Sequence, residues 1–220
     1  MGKDMLAREG YSNIFAAVLF ALLASLGAYF LNHWISNIIY GAMALLVLFM
    51  LYFFRDPDRD ITPGDNLVLS PADGNIVLVK NVEEEKYIKG MAIQISIFLS
   101  PLDVHVNRLP VGGQLEYLEY HPGAYLMAWD DRASEMNERA DFGIRHKSGM
   151  KIFFRQITGF LARRIVYHIQ KGDQLAAGER FGMMKFGSRM DILVPVDAEI
   201  NVSEGEKAVA GKTILATITS

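Results

Sequence analysis

Polar residues able to carry out chemistry concentrate in four short stretches, each beside an apolar run. These are SPADGNIV (70–77), FLSPLDVHVNRLP (98–110), MNERA (136–140) and KFGSRMD (185–191). His105 carries an imidazole, which titrates near neutral pH and suits proton transfer. Asp73 lies in a Pro-Ala-Asp-Gly turn, and Ser188 follows Gly187 inside a strand-like run, where glycine marks a bulge or a close approach. Together they offer a nucleophile, a proton carrier and a carboxylate.

Each of these residues also has a structural interpretation, and the local sequence leaves both open. Asp73 fits a turn aspartate that accepts backbone N–H groups, and His105 fits a hydrogen-bonded core histidine. A Ser-His-Asp hydrolase would combine Ser188 with both residues. That hypothesis is disfavoured, because the serine lacks the G-x-S-x-G elbow of such enzymes.

Composition excludes several other kinds of chemistry. The chain of 220 residues contains no cysteine, which excludes disulfides, thiolate catalysis and Cys-ligated zinc. The histidines are too scattered to form a chelating motif, so we predict no metal site. The net charge of -3 provides no basic footprint for nucleic acid.

Lys185 supports an alternative of a different class, because it lies between two copies of one sequence pattern. The copies are VYHIQKGDQLAAGERFGMM and AEINVSEGEKAVAGKTILATI, in which glycines occupy tight turns between short strands. The pattern is typical of lipoyl and biotinyl hairpins, in which a lysine carries the prosthetic group. A membrane-tethered carrier domain that uses Lys185 is therefore the second hypothesis, although Phe186 replaces the second methionine of the biotinyl motif.

The region that must position these residues is predicted to be mostly β. Short alternating or apolar runs such as NIVLVK, MAIQISIFLS and DILVPV are bounded by Gly, Pro, Asp or Asn. We expect the strands to form a barrel or sandwich that contains the lipoyl-like hairpin repeats and leaves few open edges. One helix is predicted near Met127 to Arg139.

Two uncharged apolar runs, Ile14 to Leu31 and Ile38 to Phe54, precede this region. At ~1.5 Å per residue each reaches about 25 to 27 Å, close to the ~30 Å of a bilayer core. They predict an N-terminal transmembrane helical hairpin, which either spans the bilayer or dips into one leaflet. A soluble two-helix bundle is disfavoured, because its helices would show a polar face.

The flanking charges predict the orientation of the hairpin. Lys3 and Arg8 precede the first run, and Arg55 and Arg59 follow the second, whereas the connector contains neither Lys nor Arg. By the positive-inside rule, both ends lie in the cytoplasm. We therefore expect the protein at the inner cell membrane, with its catalytic domain on the cytoplasmic face.

Taken in order, these motifs resemble the phosphatidylserine decarboxylase family, particularly its short bacterial and archaeal form. The resemblance covers nearly the whole chain. It consists of a hairpin ending in FFRDPDR, followed by SPADG, FLSPLDVHVNR, YHPGAY, NERA, ARRI and ERFGMMKFGSR.

The resemblance implies a proenzyme that cuts itself between Gly187 and Ser188. In that family the serine Oγ attacks the glycine carbonyl, β-elimination breaks the chain, and the serine becomes an N-terminal pyruvoyl group. This covalent cofactor would serve as the electron sink while phosphatidylserine loses CO₂ to become phosphatidylethanolamine.

The resemblance also implies roles for other residues. His105 matches the family histidine of substrate decarboxylation, and Asp73 matches the aspartate of the self-cleavage triad. Long-form members have a second histidine, as the base, where this chain has Arg108. Either His105 serves both steps, or Asp73 acts on Ser188 directly. Arg108 and Arg189 are candidates to bind the lipid phosphate or carboxylate, with a structural role as the alternative.

Three segments follow from these predictions. Residues 1–56 form the membrane-anchoring hairpin, 57–187 form the catalytic β domain within the large β chain, and 188–220 form the small α chain that carries the pyruvoyl group. The two chains are expected to stay interlocked as a heterodimer that acts on a membrane phospholipid, with a higher oligomer left open.

Overall fold

The computed structural model describes residues 5–31, 33–128, 132–159, 164–185 and 187–218. The chain divides into two compact units, Met1–Asp58 and Arg59–Ser220. Each unit has its own architecture, helical in the first and mostly β in the second.

The first unit is a helical hairpin. After a 3₁₀ turn at Arg8–Gly10, helix α1 covers Tyr11–Ala28 and helix α2 covers His33–Phe53. The hairpin is closed at its base, where the backbone N–H of Ala7 donates to the carbonyl of Phe54 at 2.8 Å.

The apolar side chains of this hairpin largely face outwards. Phe15, Leu22 and Leu45 are 70%, 64% and 69% exposed, a pattern that would be unfavourable in water. Both helices are long and apolar enough to cross a membrane. The predicted pair of apolar helices is confirmed, and its outward-facing apolar surface fits a lipid environment.

The second unit contains three antiparallel sheets among the described residues. Its strands are β1 (Leu67–Leu69), β2 (Gly74–Glu84), β3 (Gly90–Leu99), β4 (Val106–Arg108), β5 (Gly113–His121), β6 (Arg139–Arg145), β7 (Lys151–Thr158), β8 (Ile165–Tyr167), β9 (Gln174–Leu175), β10 (Arg180–Met184), β11 (Ser188–Pro195), β12 (Glu199–Ile200), β13 (Lys207–Ala208) and β14 (Ile214–Thr217). The large curled sheet has the order β13-β2-β3-β11-β7-β6-β5-β9. Two small sheets, β1-β14-β12 and β4-β10-β8, pack their apolar residues into the same core as one face of the large sheet. The predicted mostly β architecture is confirmed.

The two glycine-rich repeats fold alike. In each copy the first and third strands pair with each other, as β8 with β10 and β12 with β14. The middle strand of each copy instead extends an edge of the large sheet, β9 on β5 and β13 on β2. The sequence repeat is therefore a structural repeat with two matching edges.

The duplication extends beyond these hairpins to the strands they border. Gly74 begins β2, and a Cβ there would lie 2.1 Å from the carbonyl oxygen of Phe98. Gly113 begins β5, and a Cβ there would lie 2.2 Å from the carbonyl oxygen of Arg145. Each strand thus starts at a glycine because its neighbour passes too close for a side chain.

The core between the sheets is aromatic at its centre. Phe142 stacks on Phe154 with ring centroids 5.0 Å apart, and Phe181 and Tyr167 meet Phe142 edge to face. The three phenylalanines are completely buried. They join the large sheet to the β4-β10-β8 sheet through β10.

The helix predicted at Met127 to Arg139 is wrong in extent. Among the described residues of this stretch, helix α3 covers Ala133–Met136, and β6 already begins at Arg139; positions 129–131 of the prediction lie outside the described residues. Asn137 leaves the helix with an extended backbone. Its side chain donates to the carbonyls of Leu126 and Thr158, so long-range hydrogen bonds override local helix propensity.

We expect Phe142→Ala to lower the thermal unfolding midpoint of the β unit by roughly 10 °C. The substitution opens a cavity between the large sheet and the β4-β10-β8 sheet. Differential scanning calorimetry of the detergent-solubilised chain measures this shift. Phe142→Leu, which keeps most of the volume, should cost much less. Equal midpoints for the wild type and Phe142→Ala would contradict the proposed importance of this cluster.

Candidate functional site

Ser188 lies at the start of the central strand of the large sheet. As the first residue of β11 it is directly opposite Leu99 of β3 and Thr158 of β7. The side chain is completely buried, and its Oγ has no hydrogen-bond partner among the described residues. A buried hydroxyl without a partner is costly and therefore points to a functional role.

Gly187 supplies the backbone conformation that the adjoining peptide bond requires. Its φ is +71°, a region that side-chain-bearing residues rarely adopt. Its carbonyl oxygen also passes close to a second glycine, since a Cβ at Gly159 would lie 2.6 Å from it. Two glycines thus leave the carbonyl of the Gly187–Ser188 bond with little steric hindrance.

His105 adjoins this bond from the loop that follows β3. Its Nδ1 lies 2.9 Å from the carbonyl oxygen of Asp103, which can only accept a hydrogen bond. In the neutral imidazole the proton therefore sits on Nδ1, and Nε2 keeps a lone pair. That Nε2 accepts from the backbone N–H of Gly187 at 3.4 Å. The structure thus places a buried base next to the Gly187–Ser188 bond.

Asp73 is held in a different set of contacts. Its Oδ2 accepts from the guanidinium of Arg59 at 2.7 Å, and its Oδ1 accepts from the backbone N–H of Ala210 at 2.8 Å. Arg59 also donates to the carbonyl of Ala210 at 3.3 Å. Because β3 separates the strand after Asp73 from β11, the backbones of Asp73 and Ser188 lie about 10 Å apart. The structure brings His105 to the bond and keeps Asp73 one strand further away.

The Asp73 contacts tie two distant segments together. Thr62 donates its backbone N–H to Gly211 at 3.0 Å and its hydroxyl to Lys212 at 2.8 Å. Residues 59–62 therefore run along the turn at 209–212, and the Arg59–Asp73 ion pair lies at the start of that contact.

The two arginines singled out by sequence occupy buried positions. The Arg108 guanidinium donates to the carbonyl of Gly178 at 3.0 Å. Arg189 is 1% exposed and donates its Nε to Asp191 at 2.7 Å, on the face of β11 opposite to Ser188. For Arg189 these contacts favour the structural alternative over contact with a lipid headgroup.

The Arg189–Asp191 pair belongs to a buried polar cluster on that outer face. Arg189 also donates to the Ser96 hydroxyl, and Asp191 accepts from Gln94 and from the Ser134 hydroxyl. All five side chains are buried. The cluster joins β3, β11 and α3 and thereby fixes the strand that begins at Ser188.

Two functional candidates escaped the sequence analysis. Asn107 and Gln156 are both completely buried, and Gln156 donates to Asn107 at 2.8 Å. Each also keeps one buried polar atom without a partner among the described residues. Asn107 had a detectable signal, because it lies two positions after His105 in an extended segment and so shares its face. Gln156 lies inside the strand-like run KIFFRQI, and no sequence signal marked it as a functional residue.

Other sequence candidates have structural roles. Lys185 directly follows β10 and is 7% exposed, whereas a carrier lysine must lie on an exposed turn, so the carrier hypothesis is not favoured. In the MNERA stretch, Asn137 binds backbone groups and Glu138 accepts from the Tyr120 hydroxyl. His121 lies on the outer face beside Asp141, where burial lowers the pKa of its imidazole. No metal-binding group of three or more His, Asp or Glu side chains occurs among the described residues.

This arrangement suits an intramolecular acyl shift. It brings together the Ser188 hydroxyl, the unhindered carbonyl of the preceding Gly187 and the His105 imidazole. The carbonyl of Gly187 is the acyl group that such a shift would move onto the Ser188 hydroxyl.

Comparison with known proteins shows which family the chain resembles in sequence. A family model described as phosphatidylserine decarboxylase matches residues 46–216. The chain is 48% identical over 199 residues to the phosphatidylserine decarboxylase proenzyme of Salinibacter ruber, covering 87% of this chain and 86% of that protein. It is 44% identical over 215 residues to the protein of the same name from Symbiobacterium thermophilum, covering 98% and 96% of the two chains.

Proposed function

This chain belongs to the phosphatidylserine decarboxylase family, and we propose that it decarboxylates phosphatidylserine to phosphatidylethanolamine after cutting itself at Gly187–Ser188. The observation that carries the proposal is the buried, unpartnered hydroxyl of Ser188 beside a left-handed Gly187 and the Nε2 of His105. The relatives are named proenzymes, which is consistent with a precursor that must be processed.

Self-cleavage follows from ordinary acyl chemistry. The Ser188 Oγ attacks the carbonyl carbon of Gly187, its proton leaves, and the amide C–N bond breaks to give an ester and a free amine. Loss of the Ser188 Cα proton then expels the Gly187 carboxylate and leaves dehydroalanine. Hydrolysis of this residue releases ammonia and yields the pyruvoyl group.

We assign His105 as the base that takes the Ser188 proton. Its Nε2 accepts from the backbone N–H of Gly187, the residue whose carbonyl is attacked, whereas an arginine guanidinium offers no lone pair to accept a proton. The Asp73 carboxylate supports cleavage from a distance, by holding Arg59 and the turn at Ala210. The orphaned Ser188 hydroxyl fits a residue that reacts where it stands, and Gly159 leaves room beside the Gly187 carbonyl that the hydroxyl attacks.

The pyruvoyl group derived from Ser188 would supply the electron sink for CO₂ loss. Around it, this chain contributes burial, which excludes water from the reacting carbon, and the His105 imidazole, which can hold a proton and return it to that carbon.

Strand pairing would keep the two chains together after the cut. The small chain, 188–220, contains β11, which pairs with β3 of the large chain from Ser188 to Pro195 and with β7 from Ser188 to Leu193. Its β13 and β14 also pair with β2 and β1. A heterodimer of interlocked chains follows from these ladders.

The helical hairpin would anchor this chemistry at the bilayer. A diacyl lipid leaves a membrane at a cost of ~0.8 kcal/mol for each CH₂ exposed, so the enzyme must work at the headgroup. The positive flanks of the hairpin support the proposal that the catalytic unit lies on the cytoplasmic face of the inner membrane.

Ser188→Ala should abolish both self-cleavage and decarboxylation, because it removes the nucleophile and the cofactor precursor. Intact-mass analysis of the wild type should show fragments of 187 and 33 residues, the smaller blocked at its N-terminus. Ser203→Ala, in an exposed turn, serves as the control and should be cut normally. An uncut wild type that decarboxylates phosphatidylserine would overturn the proposal.

His105→Ala should slow self-cleavage by roughly 10²- to 10⁴-fold, the usual contribution of a general base. Pulse-labelled protein sampled over time measures the cleavage rate, and any processed fraction can be assayed for CO₂ release. His146→Ala, in a turn at the opposite end of the sheet, provides a matched control. Cleavage at the wild-type rate in His105→Ala would remove this residue as the base.

Asp73→Asn and Arg59→Ala should each slow cleavage, because either change breaks the ion pair. The exchange Arg59→Asp with Asp73→Arg should recover part of the rate, since it restores the ion pair but not the contact with Ala210. The same pulse-labelling assay applies. If Asp73 itself transfers a proton, the exchanged protein will be as slow as the single variants.

A further inference from the structure

Asn107 and Gln156 form a buried amide pair that the folded chain leaves half satisfied. Gln156 Nε2 donates to Asn107 Oδ1 at 2.8 Å. The remaining Nδ2 of Asn107 and Oε1 of Gln156 have no hydrogen-bond partner among the described residues. Each orphaned group destabilises the fold unless another molecule pairs with it.

This conclusion does not depend on how the two amides are oriented. Exchanging O and N in both side chains keeps one hydrogen bond between them and again leaves one N–H donor and one carbonyl acceptor unpaired. The pair therefore always presents a donor and an acceptor to a third group.

The pair lies on the same face of the sheet as Ser188. Residues directly opposite each other share a face, and Gln156 is opposite Met190, two positions along β11 from Ser188. This diagonal separation is about 7 Å. Asn107 shares its face with His105, whose Nε2 adjoins Gly187. The pair thus lies one side chain deeper in the core than the residue that becomes the reacting group.

We infer that Asn107 and Gln156 bind the amino-acid end of the phosphatidylserine headgroup, with the donor on the α-carboxylate and the acceptor on the α-amine. This inference rests on the proposed function. The α-carbon carries the amine, the carboxylate and the arm to the phosphate and acyl chains. Because that arm must lead out to the lipid, the carboxylate and amine are the groups left to enter the core.

A neutral amide suits a carboxylate that must be lost. A cation would stabilise the substrate carboxylate strongly, and that stabilisation disappears when CO₂ leaves, so the barrier would rise. An amide orients the carboxylate with a weaker bond. The neighbouring cations are engaged elsewhere, Arg108 with the Gly178 carbonyl and Arg189 with Asp191.

The test compares three water-soluble dihexanoyl lipids on the processed, detergent-solubilised full chain. Phosphatidylserine has both the carboxylate and the amine, phosphatidylethanolamine has the amine only, and phosphatidylethanol has neither. The substrate yields KM and kcat, and the other two yield inhibition constants. Gln156→Met removes the amide at similar volume, and Gln94→Met is its matched control on the opposite face of the sheet.

For Gln156→Met we expect a roughly 10- to 100-fold higher KM for phosphatidylserine, as for loss of a hydrogen bond to a charged group. Inhibition by phosphatidylethanolamine should weaken by a similar factor, because Gln156 Oε1 is the acceptor for the amine that both lipids carry. Inhibition by phosphatidylethanol, which has no amine, should not change. Gln94→Met should leave the ratios among the three ligands as in the wild type. Equal changes for all three ligands, or no change for phosphatidylserine, would overturn the inference.

Asn107→Asp provides a second measurement, in which the substitution adds a negative charge to the pair instead of removing an amide. A carboxylate at this position repels the substrate carboxylate, so binding of phosphatidylserine should weaken while binding of phosphatidylethanolamine stays the same or tightens. Failure of both Asn107→Asp and Gln156→Met to self-cleave would assign the pair to folding and overturn the inference. A wild type that neither cuts itself nor releases CO₂ would refute the proposed function instead.

Discussion

The insertion of β11 between β3 and β7 is the constraint on which the rest of the structure depends. Its antiparallel ladders fix Ser188 opposite Leu99 and Thr158, and nothing further along the strand can shift without breaking both. The peptide bond before Ser188 lies at the boundary between a strand held on both sides and the segment that arrives from another sheet. A reacting bond placed there has a fixed nucleophile on one side and an adaptable glycine on the other.

The outer face of the sheet secures this register. A slip of β11 by one residue would turn Arg189 and Asp191 into the apolar core and Ser188 away from His105. Burying their charges is expensive, but the ion pair at 2.7 Å and the hydroxyls of Ser96 and Ser134 satisfy them only in the observed register. The buried charges thereby specify where β11 starts, which a purely apolar strand would specify less sharply.

The sequence predicted what is encoded locally. Uncharged runs indicated the two helices, alternating runs indicated most strands, and spaced glycines indicated the hairpin repeats. The partners within the site were not predictable in this way. Arg59 meets Asp73 across a linker, Gln156 meets Asn107 across 49 positions, and Asn137 ends a helix through contacts with other segments. These pairings depend on how the sheets close, which no local pattern records.

The way the chain enters each strand explains why β11, and not its neighbour β7, begins at a candidate cleavage site. β7 and β11 are neighbours at the centre of the large sheet, yet β7 is entered through the turn after β6 within the same sheet, whereas β11 is entered from β10 of a small sheet. Only the second connection passes between sheets, and it does so through Gly187 at φ +71°. Cutting that connection separates the two chains at the crossover without breaking any ladder pair. The fold can therefore lose this peptide bond and keep the geometry around Ser188, which a cofactor made from the chain itself requires.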